Sequence, residues 1–149
     1  MEDHERPLNK RGRNDAPLIG AVLYSNGLVP DLILTSTALR ARQTADLVAM
    51  TCDYKGKTTP CPEFYLAGPD AYLAVLARLP DDVHRVMVVG HNPGLEELLE
   101  LLTGEIHAFP TAALAQVELN VSFWKDIHPL VKGKLVNLWV PKELGQHEG

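Results

Sequence analysis

Apolar and polar positions follow helix-like and strand-like patterns along this chain, and the clearest pattern spans residues 86–102. Val86–Val89 is an unbroken, mostly β-branched apolar run. Such a run predicts a strand buried on both faces of a parallel sheet. After it, leucines recur at helical spacing with glutamates between them, at Leu95, Leu98, Leu99 and Leu102. This segment therefore predicts a buried strand followed by an amphipathic helix.

The junction between that strand and helix carries a histidine, His91. Asn92 suits the N-cap of the helix, Pro93 suits its first position, and Gly104 suits its C-terminal cap. Ligands of open α/β sheets bind at the carboxyl ends of strands, and helix N-termini favour anions. His91 is therefore a candidate anion ligand; the alternative is a histidine that only closes the end of a strand.

Other segments predict further helices and strands in alternation. Asn9 caps a predicted helix over Lys10–Tyr24, and Pro17 inside it indicates that this helix either begins later or kinks. Leu32–Leu34 is a short predicted strand, followed by a helix over Ala38–Met50. The loop of residues 52–62 is expected to carry a short edge strand, and residues 72–79 a third helix. This alternation predicts an α/β layered domain with a largely parallel sheet.

The C-terminal third predicts two more strands. Ala112–Leu119 alternates apolar and polar positions, which indicates a strand with one less buried face. Lys134–Val140 is expected to close the sheet, and the tail after Pro141 to fray. The 149 residues suit a single domain, residues 1–149, with its own core.

Composition excludes several classes of function. The net charge of −5 provides no positive field for nucleic acid or an anionic membrane. The basic run Lys10–Arg13 is flanked by acidic residues and is better explained as a solvated helix face. No stretch reaches membrane-spanning length, and the polar N-terminus is unlike a signal peptide, so the cytoplasm is expected.

The two cysteines, Cys52 and Cys61, do not form a C-x-x-C pair. Reduced thiols are expected, with a lone disulfide as the alternative. The histidines lack the spacing of metal ligands, so no metal and no cofactor is expected.

Two strand–helix junctions together carry a family resemblance. The segment LILTSTALRARQTADLVA contains S-x-x-x-R-A-x-Q-T, with Ser36 and Arg40, and VMVVGHNPGLEELL contains G-H-N-P, with His91. Both resemble the histidine phosphatase superfamily, and more closely its SixA-like phosphohistidine phosphatases. The segments HERPLNKRGRNDA and AFPTAALAQVEL are similar to further segments of that branch, so the likeness covers nearly the whole chain.

The resemblance implies a three-layer α/β/α sandwich of the phosphoglycerate-mutase type and a phosphatase site. In that family a histidine at the end of the first strand, in an Arg-His motif, attacks phosphorus, and two arginines and a second histidine hold the phosphoryl oxygens. Arg40 matches the second arginine, and His91 the second histidine, acting as a protonated donor. Ser36 lies in the matching turn and either contacts phosphate or caps a helix; Asn92 is expected to cap its helix.

One part of the family pattern is not found in these 149 residues. No Arg-His dipeptide occurs, so the first central strand and its nucleophile are expected to be missing and the chain to be inactive as given. His4 matches a segment beyond the nucleophile and is not a substitute for it. The other histidines match no motif: they are His84, His107, His128 and His147. Glu63 lies where some members place a leaving-group acid, although a surface glutamate is the simpler explanation.

Two alternatives remain open. One is a catalytically dead module of the same fold that binds phosphate or a phosphoprotein. The other is an unrelated doubly wound domain that binds a nucleotide at His91, but no Gly-rich phosphate loop supports it. The expected partner is a phosphorylated protein or a small phosphomonoester; the sequence does not indicate which, nor the oligomeric state.

Overall fold

The centre of the molecule consists of a parallel sheet and a separate antiparallel hairpin in the computed structural model, which describes residues 1–145. Strands β1 (Leu32–Ser36), β2 (Thr59–Cys61) and β3 (Val86–Val89) are parallel and lie in the order β2-β1-β3. Strands β4 (Leu114–Leu119) and β5 (Gly133–Trp139) pair antiparallel. The predicted α/β class with a mostly parallel central sheet is confirmed.

Helices connect the strands, and short 3₁₀ turns occur between them. The helices are α1 (Lys10–Ser25), α2 (Leu39–Cys52), α3 (Pro69–Leu76), α4 (Gly94–Thr103) and α5 (Pro141–Gly145). The 3₁₀ turns are Asp3–Glu5, Pro62–Phe64 and Trp124–Asp126. Two apolar clusters result, one around Phe64 and Tyr72 between α3, α4 and β1, the other between α1 and α2.

Local signals in the sequence explain two helix ends, the start of α1 and the end of α4. The Asn9 side chain accepts a hydrogen bond of 2.9 Å from the backbone N–H of Gly12, as expected of an N-cap. Helix α1 then continues through Pro17, so the interpretation that it begins later is wrong. Gly104 ends α4 with φ of 75°, and its N–H donates to the Glu100 carbonyl.

The predicted burial of Val86–Val89 on both faces is wrong. All four residues of β3 are only partly buried, because within residues 1–145 β3 pairs with β1 alone. A cavity of about 1550 Å³ lies beside it and is lined by every residue of β3 and of β4, and by apolar side chains of α1 and α4. Among the described residues the two sheets are separate, and the edges of β3 and β4 that border the cavity pair with no further strand.

Several smaller expectations have clear outcomes. Cys52 and Cys61 are both buried and free, which confirms reduced thiols. The tail does not fray directly after Pro141, since α5 reaches Gly145; His147 lies outside the described residues. No helix within residues 1–145 is both long enough and apolar enough to cross a membrane.

Candidate functional site

The end of β1 places a hydroxyl at the carboxyl edge of the parallel sheet. Ser36 is the last residue of β1 and is fully buried. Its Oγ accepts a hydrogen bond of 3.2 Å from the backbone N–H of Ala38, just before α2 begins. The Oγ also lies 2.8 Å from His91 Nε2. Ser36 is therefore not the N-cap of α2, which is Ala38 without a side-chain cap, and its contact with phosphate stays a prediction.

His91 follows β3 and is held from two sides. Its backbone N–H donates to the Tyr72 hydroxyl at 3.5 Å, and its ring contacts Ser36. A Cβ added at Gly90 would lie 2.1 Å from the Tyr72 hydroxyl oxygen, so only glycine fits this close approach. The half-buried imidazole is thus fixed at the strand end and does not belong to an apolar core.

Asn92 does not cap α4, which corrects the sequence-based expectation. Helix α4 begins at Gly94, with Pro93 at the N-cap position and no side-chain cap. The Asn92 side-chain amide donates instead to the backbone carbonyl of Phe109. It therefore joins the start of α4 to the loop that precedes β4.

Burial lowers the pKa of His91 below its usual 6.5, because the charged form loses hydration. The nearby Arg40 charge lowers this pKa further, and Asp3 acts in the opposite direction. The neutral form of the ring is therefore favoured over the charged form when no anion is present. A phosphoryl dianion would raise this pKa, so the expected imidazolium donor is a property of the occupied site.

Arg40 lies in the first turn of α2 and lines the same cavity as His91. Its guanidinium contacts the N-terminal 3₁₀ turn: Nη1 donates to the Asp3 carbonyl at 2.9 Å and Nη2 to Asp3 Oδ2 at 3.2 Å. The Tyr65 hydroxyl also donates to Asp3 Oδ2. That hydrogen bond and, to a lesser extent, Arg40 hold the pKa of the Asp3 carboxyl below its usual value.

Sequence reasoning missed three residues of this site: Asp3, His4 and Tyr65. His4 Nε2 lies 2.8 Å from Thr37 Oγ1, next to the Ser36–His91 contact. The Tyr65 ring packs edge-on against His4 and His91, with centroid distances of 4.8 Å and 5.7 Å. The resemblance placed His4 beyond the nucleophile and gave it no role in the site, and no pattern signalled Asp3 or Tyr65.

Glu63, the candidate leaving-group acid, is exposed. Its carboxylate accepts a hydrogen bond of 3.2 Å from Arg78 and, within residues 1–145, makes no hydrogen bond to Ser36, Arg40 or His91. Glu63 is thus paired with Arg78 and not with a residue of the site. Its part in chemistry stays a prediction.

Two potential donors thus converge on one cavity, Arg40 as a permanent cation and His91 as a conditional one. Such donors bind the oxygens of a tetrahedral oxyanion, and the planar guanidinium suits bidentate contact. Among the described residues no three His, Cys, Asp or Glu side chains are grouped as metal ligands would be. The arrangement suits direct binding of an anion by protein groups.

Some of the proteins to which this chain is similar are phosphohistidine phosphatases. The phosphohistidine phosphatase SixA of Escherichia coli is 31% identical over 128 residues, which are 80% of this chain and 77% of that protein. A structure of the protein histidine phosphatase SixA complexed with tungstate matches with a TM-score of 0.83 and 26% identity, covering 97% of this chain and 90% of the other.

Two further comparisons limit how much of a relative's function can be transferred to this chain. An uncharacterised chloroplastic protein of Arabidopsis thaliana is 30% identical over 139 residues, which are 87% of this chain. The chain spans only 64% of that relative's length. No family model matches the chain.

Proposed function

Because this chain belongs to the SixA-like branch of the histidine phosphatase superfamily, we propose that its site binds the phosphoryl group of phosphohistidine. Another phosphomonoester is the alternative substrate. The partner on this proposal is a phosphorylated protein or a small phosphomonoester, and the place of action is the cytoplasm.

The observation that carries the proposal is that Arg40, in the first turn of α2, and His91, after β3, line one cavity and lie close enough for the Arg40 charge to lower the pKa of His91. Charge spreads over the three equatorial oxygens during phosphoryl transfer, so fixed donors at those oxygens lower the barrier. The Nε–H of Arg40, which makes no hydrogen bond within residues 1–145, can contact phosphoryl oxygens together with the adjacent Nη–H. His91 supplies an imidazolium N–H once the dianion has raised its pKa. Ser36 orients that imidazole through its 2.8 Å contact.

Turnover on this proposal needs a nucleophilic histidine. Its nitrogen attacks phosphorus, the bond from phosphorus to the substrate nitrogen or oxygen breaks, and the leaving group departs with the bonding pair. Water then attacks the phosphorylated histidine and releases inorganic phosphate. An imidazole leaving group needs less help from an acid than an alkoxide does, so a phosphohistidine substrate fits a site in which Glu63 pairs with Arg78.

The 149 residues contain no Arg-His motif, and we propose that this chain alone does not turn over. Loss of the nucleophile in a covalent mechanism costs about a millionfold in rate, whereas loss of one oxyanion donor costs about a hundred- to a thousandfold. A site with Arg40 and His91 but no nucleophile would bind anions and leave them unchanged. The second candidate function is therefore a phosphate- or phosphoprotein-binding module.

A turnover experiment tests the proposal. The chain as given should hydrolyse neither phosphohistidine nor p-nitrophenyl phosphate faster than the double variant Arg40→Ala/His91→Ala. An apolar strand ending in Arg-His-Gly, added ahead of Met1, should produce turnover and a trapped phosphoenzyme. The matched extension with Gln in place of that histidine should produce neither.

Two results separate the outcomes of this experiment. An active extended chain that loses activity on Arg40→Ala supports the phosphatase. Robust turnover by the unextended chain would contradict the assigned nucleophile. An extended chain that folds, binds anions and stays inactive would favour the binding module.

A further inference from the structure

The N-terminal 3₁₀ turn contacts the cation that the proposed function assigns to phosphate. We propose that Asp3 is a positioning residue, which holds one edge of the Arg40 guanidinium and leaves the other edge for phosphoryl oxygens. This inference rests on the proposed function, since it takes Arg40 to be a phosphoryl ligand.

The geometry of Arg40 divides its donors into two sets. Nη1 and Nη2 both donate to oxygens of one residue, the carbonyl and the Oδ2 of Asp3. Within residues 1–145, Nε makes no hydrogen bond to another residue. A guanidinium has five N–H donors in a rigid fork, so the Nε–H and the adjacent Nη–H still form a bidentate edge.

Asp3 is itself fixed by neighbours. The Tyr65 hydroxyl donates to Oδ2 at 2.5 Å, and Arg6 lies 3.3 Å from Oδ1. The Tyr65 ring, in turn, packs edge-on against His91. One small cluster therefore orients both donors of the site, Arg40 through Asp3 and His91 through the Tyr65 ring.

The alternative role of Asp3 is to compete with the anion for Arg40. A carboxylate beside Arg40 reduces the attraction for an incoming anion, so its removal would then strengthen binding. The Asp3 side chain is 46% exposed, so water screens the charge of its carboxylate and weakens its repulsion of an anion. The Arg40 side chain is only 20% exposed, so its guanidinium stays in contact with Asp3. Within residues 1–145 Asp3 takes only Nη1 and Nη2, so an anion bound at the Nε–H edge would not have to displace Asp3, which favours positioning.

Two substitutions at one residue separate these effects. Asp3→Asn removes the charge but keeps an acceptor for Nη2, whereas Asp3→Ala removes both. Asp53→Asn is the matched control: Asp53 follows the C-terminus of the same helix α2, and asparagine tolerates its left-handed φ of 65°. The probe is tungstate, titrated calorimetrically into the full chain at constant ionic strength.

Positioning predicts that Asp3→Ala weakens tungstate binding about three- to fivefold, the size expected of a partly exposed contact. Asp3→Asn should bind within about twofold of the parent, as should Asp53→Asn. Tighter binding by both Asp3 variants, with Asp53→Asn unchanged, would overturn positioning and identify Asp3 as a competitor.

A second readout does not depend on an anion. The ¹⁵N relaxation of the Arg40 Nε–H should report greater mobility in Asp3→Ala and, to a smaller extent, in Tyr65→Phe, which keeps the ring against His91. Unchanged mobility in Asp3→Ala would overturn the inference. If the parent bound no tungstate, the proposed function would fail, and the relaxation data would still decide whether Asp3 orders Arg40.

Discussion

Ser36 Oγ and His91 Nε2 lie 2.8 Å apart, although 55 positions separate the two residues in the chain. The contact follows from the parallel pairing of β1 with β3, in which Thr35 is level with Val89. Ser36 and His91 both lie just beyond that pair and therefore meet at the carboxyl edge. Arg40, one helical turn after β1, is brought to the same cavity.

Removal of the Ser36 hydroxyl should weaken anion binding without unfolding the protein. In Ser36→Ala the His91 ring loses its partner and the Ala38 N–H loses its acceptor. We expect tungstate affinity to fall about three- to tenfold, equivalent to one ordinary hydrogen bond. Titration calorimetry measures this, and Ser36→Thr, which keeps a hydroxyl, is the control; equal affinity of Ala and parent would show that the contact has no effect on the site.

The lowered pKa of His91 makes stability depend on pH. The unfolded chain binds this proton more readily than the folded one. Neutral His91 therefore contributes fully to the free energy of unfolding above the unfolded pKa of about 6.5, and this contribution is lost as the pH falls below it. The free energy of unfolding should therefore fall from pH 7 to pH 5, and fall less in His91→Gln. Urea denaturation at each pH measures it; identical slopes for parent and variant over this range would contradict the assigned pKa shift.

The affinity for anions should change with pH in the opposite direction to stability, again because of His91. A bound dianion raises the pKa of His91, so binding takes up a proton and the affinity decreases as the pH rises. Sulfate is a suitable probe between pH 6 and pH 8 because its own charge is constant there. The affinity of His91→Gln for sulfate should vary less with pH, and an equal variation in both proteins would exclude His91 as the proton acceptor.

Gly90→Ala should destabilise the fold at the site. Its Cβ would lie 2.1 Å from the hydroxyl oxygen of Tyr72, which is fully buried and has little freedom to move. Overpacking of this kind costs about 1–3 kcal/mol. The double variant Gly90→Ala/Tyr72→Phe removes the clashing oxygen and should recover part of the lost free energy of unfolding, measured by urea denaturation. No recovery would show that the clash with the Tyr72 hydroxyl is not the cause of the destabilisation.

Much of the fold could be predicted from local patterns in the sequence. The alternation of apolar runs and helical stripes indicated β1, α2, β3 and α4, and the Asn9 cap and Gly104 end were correct because capping depends on neighbouring residues. The wrong predictions concern long-range partners. An apolar run shows that Val86–Val89 suits burial, but the cavity beside β3 depends on which strand pairs with it.

The site was predictable only in part, for the same physical reason. Arg40 and His91 follow strand ends, so a parallel sheet brings them together. Asn92 was assigned to capping because its local sequence allows it, whereas the distant Phe109 carbonyl takes its amide. Tyr65 follows a 3₁₀ turn, and no periodicity shows that its ring faces His91.

The central claim is that Arg40 and His91 together bind a phosphoryl-like anion, and paired variants measured by tungstate titration test it most directly. Arg40→Ala is compared with Arg42→Ala, which removes an equal charge from an exposed position on the same helix. His91→Gln is compared with His128→Gln, at an exposed residue that does not line the cavity.

We predict that Arg40→Ala and His91→Gln each lower tungstate affinity about tenfold or more, as expected for a charge-assisted hydrogen bond. Arg42→Ala and His128→Gln should bind within about twofold of the parent. Equal losses within each pair would mean that tungstate responds only to overall charge or to any histidine, and the claim that these two residues form the site would be wrong.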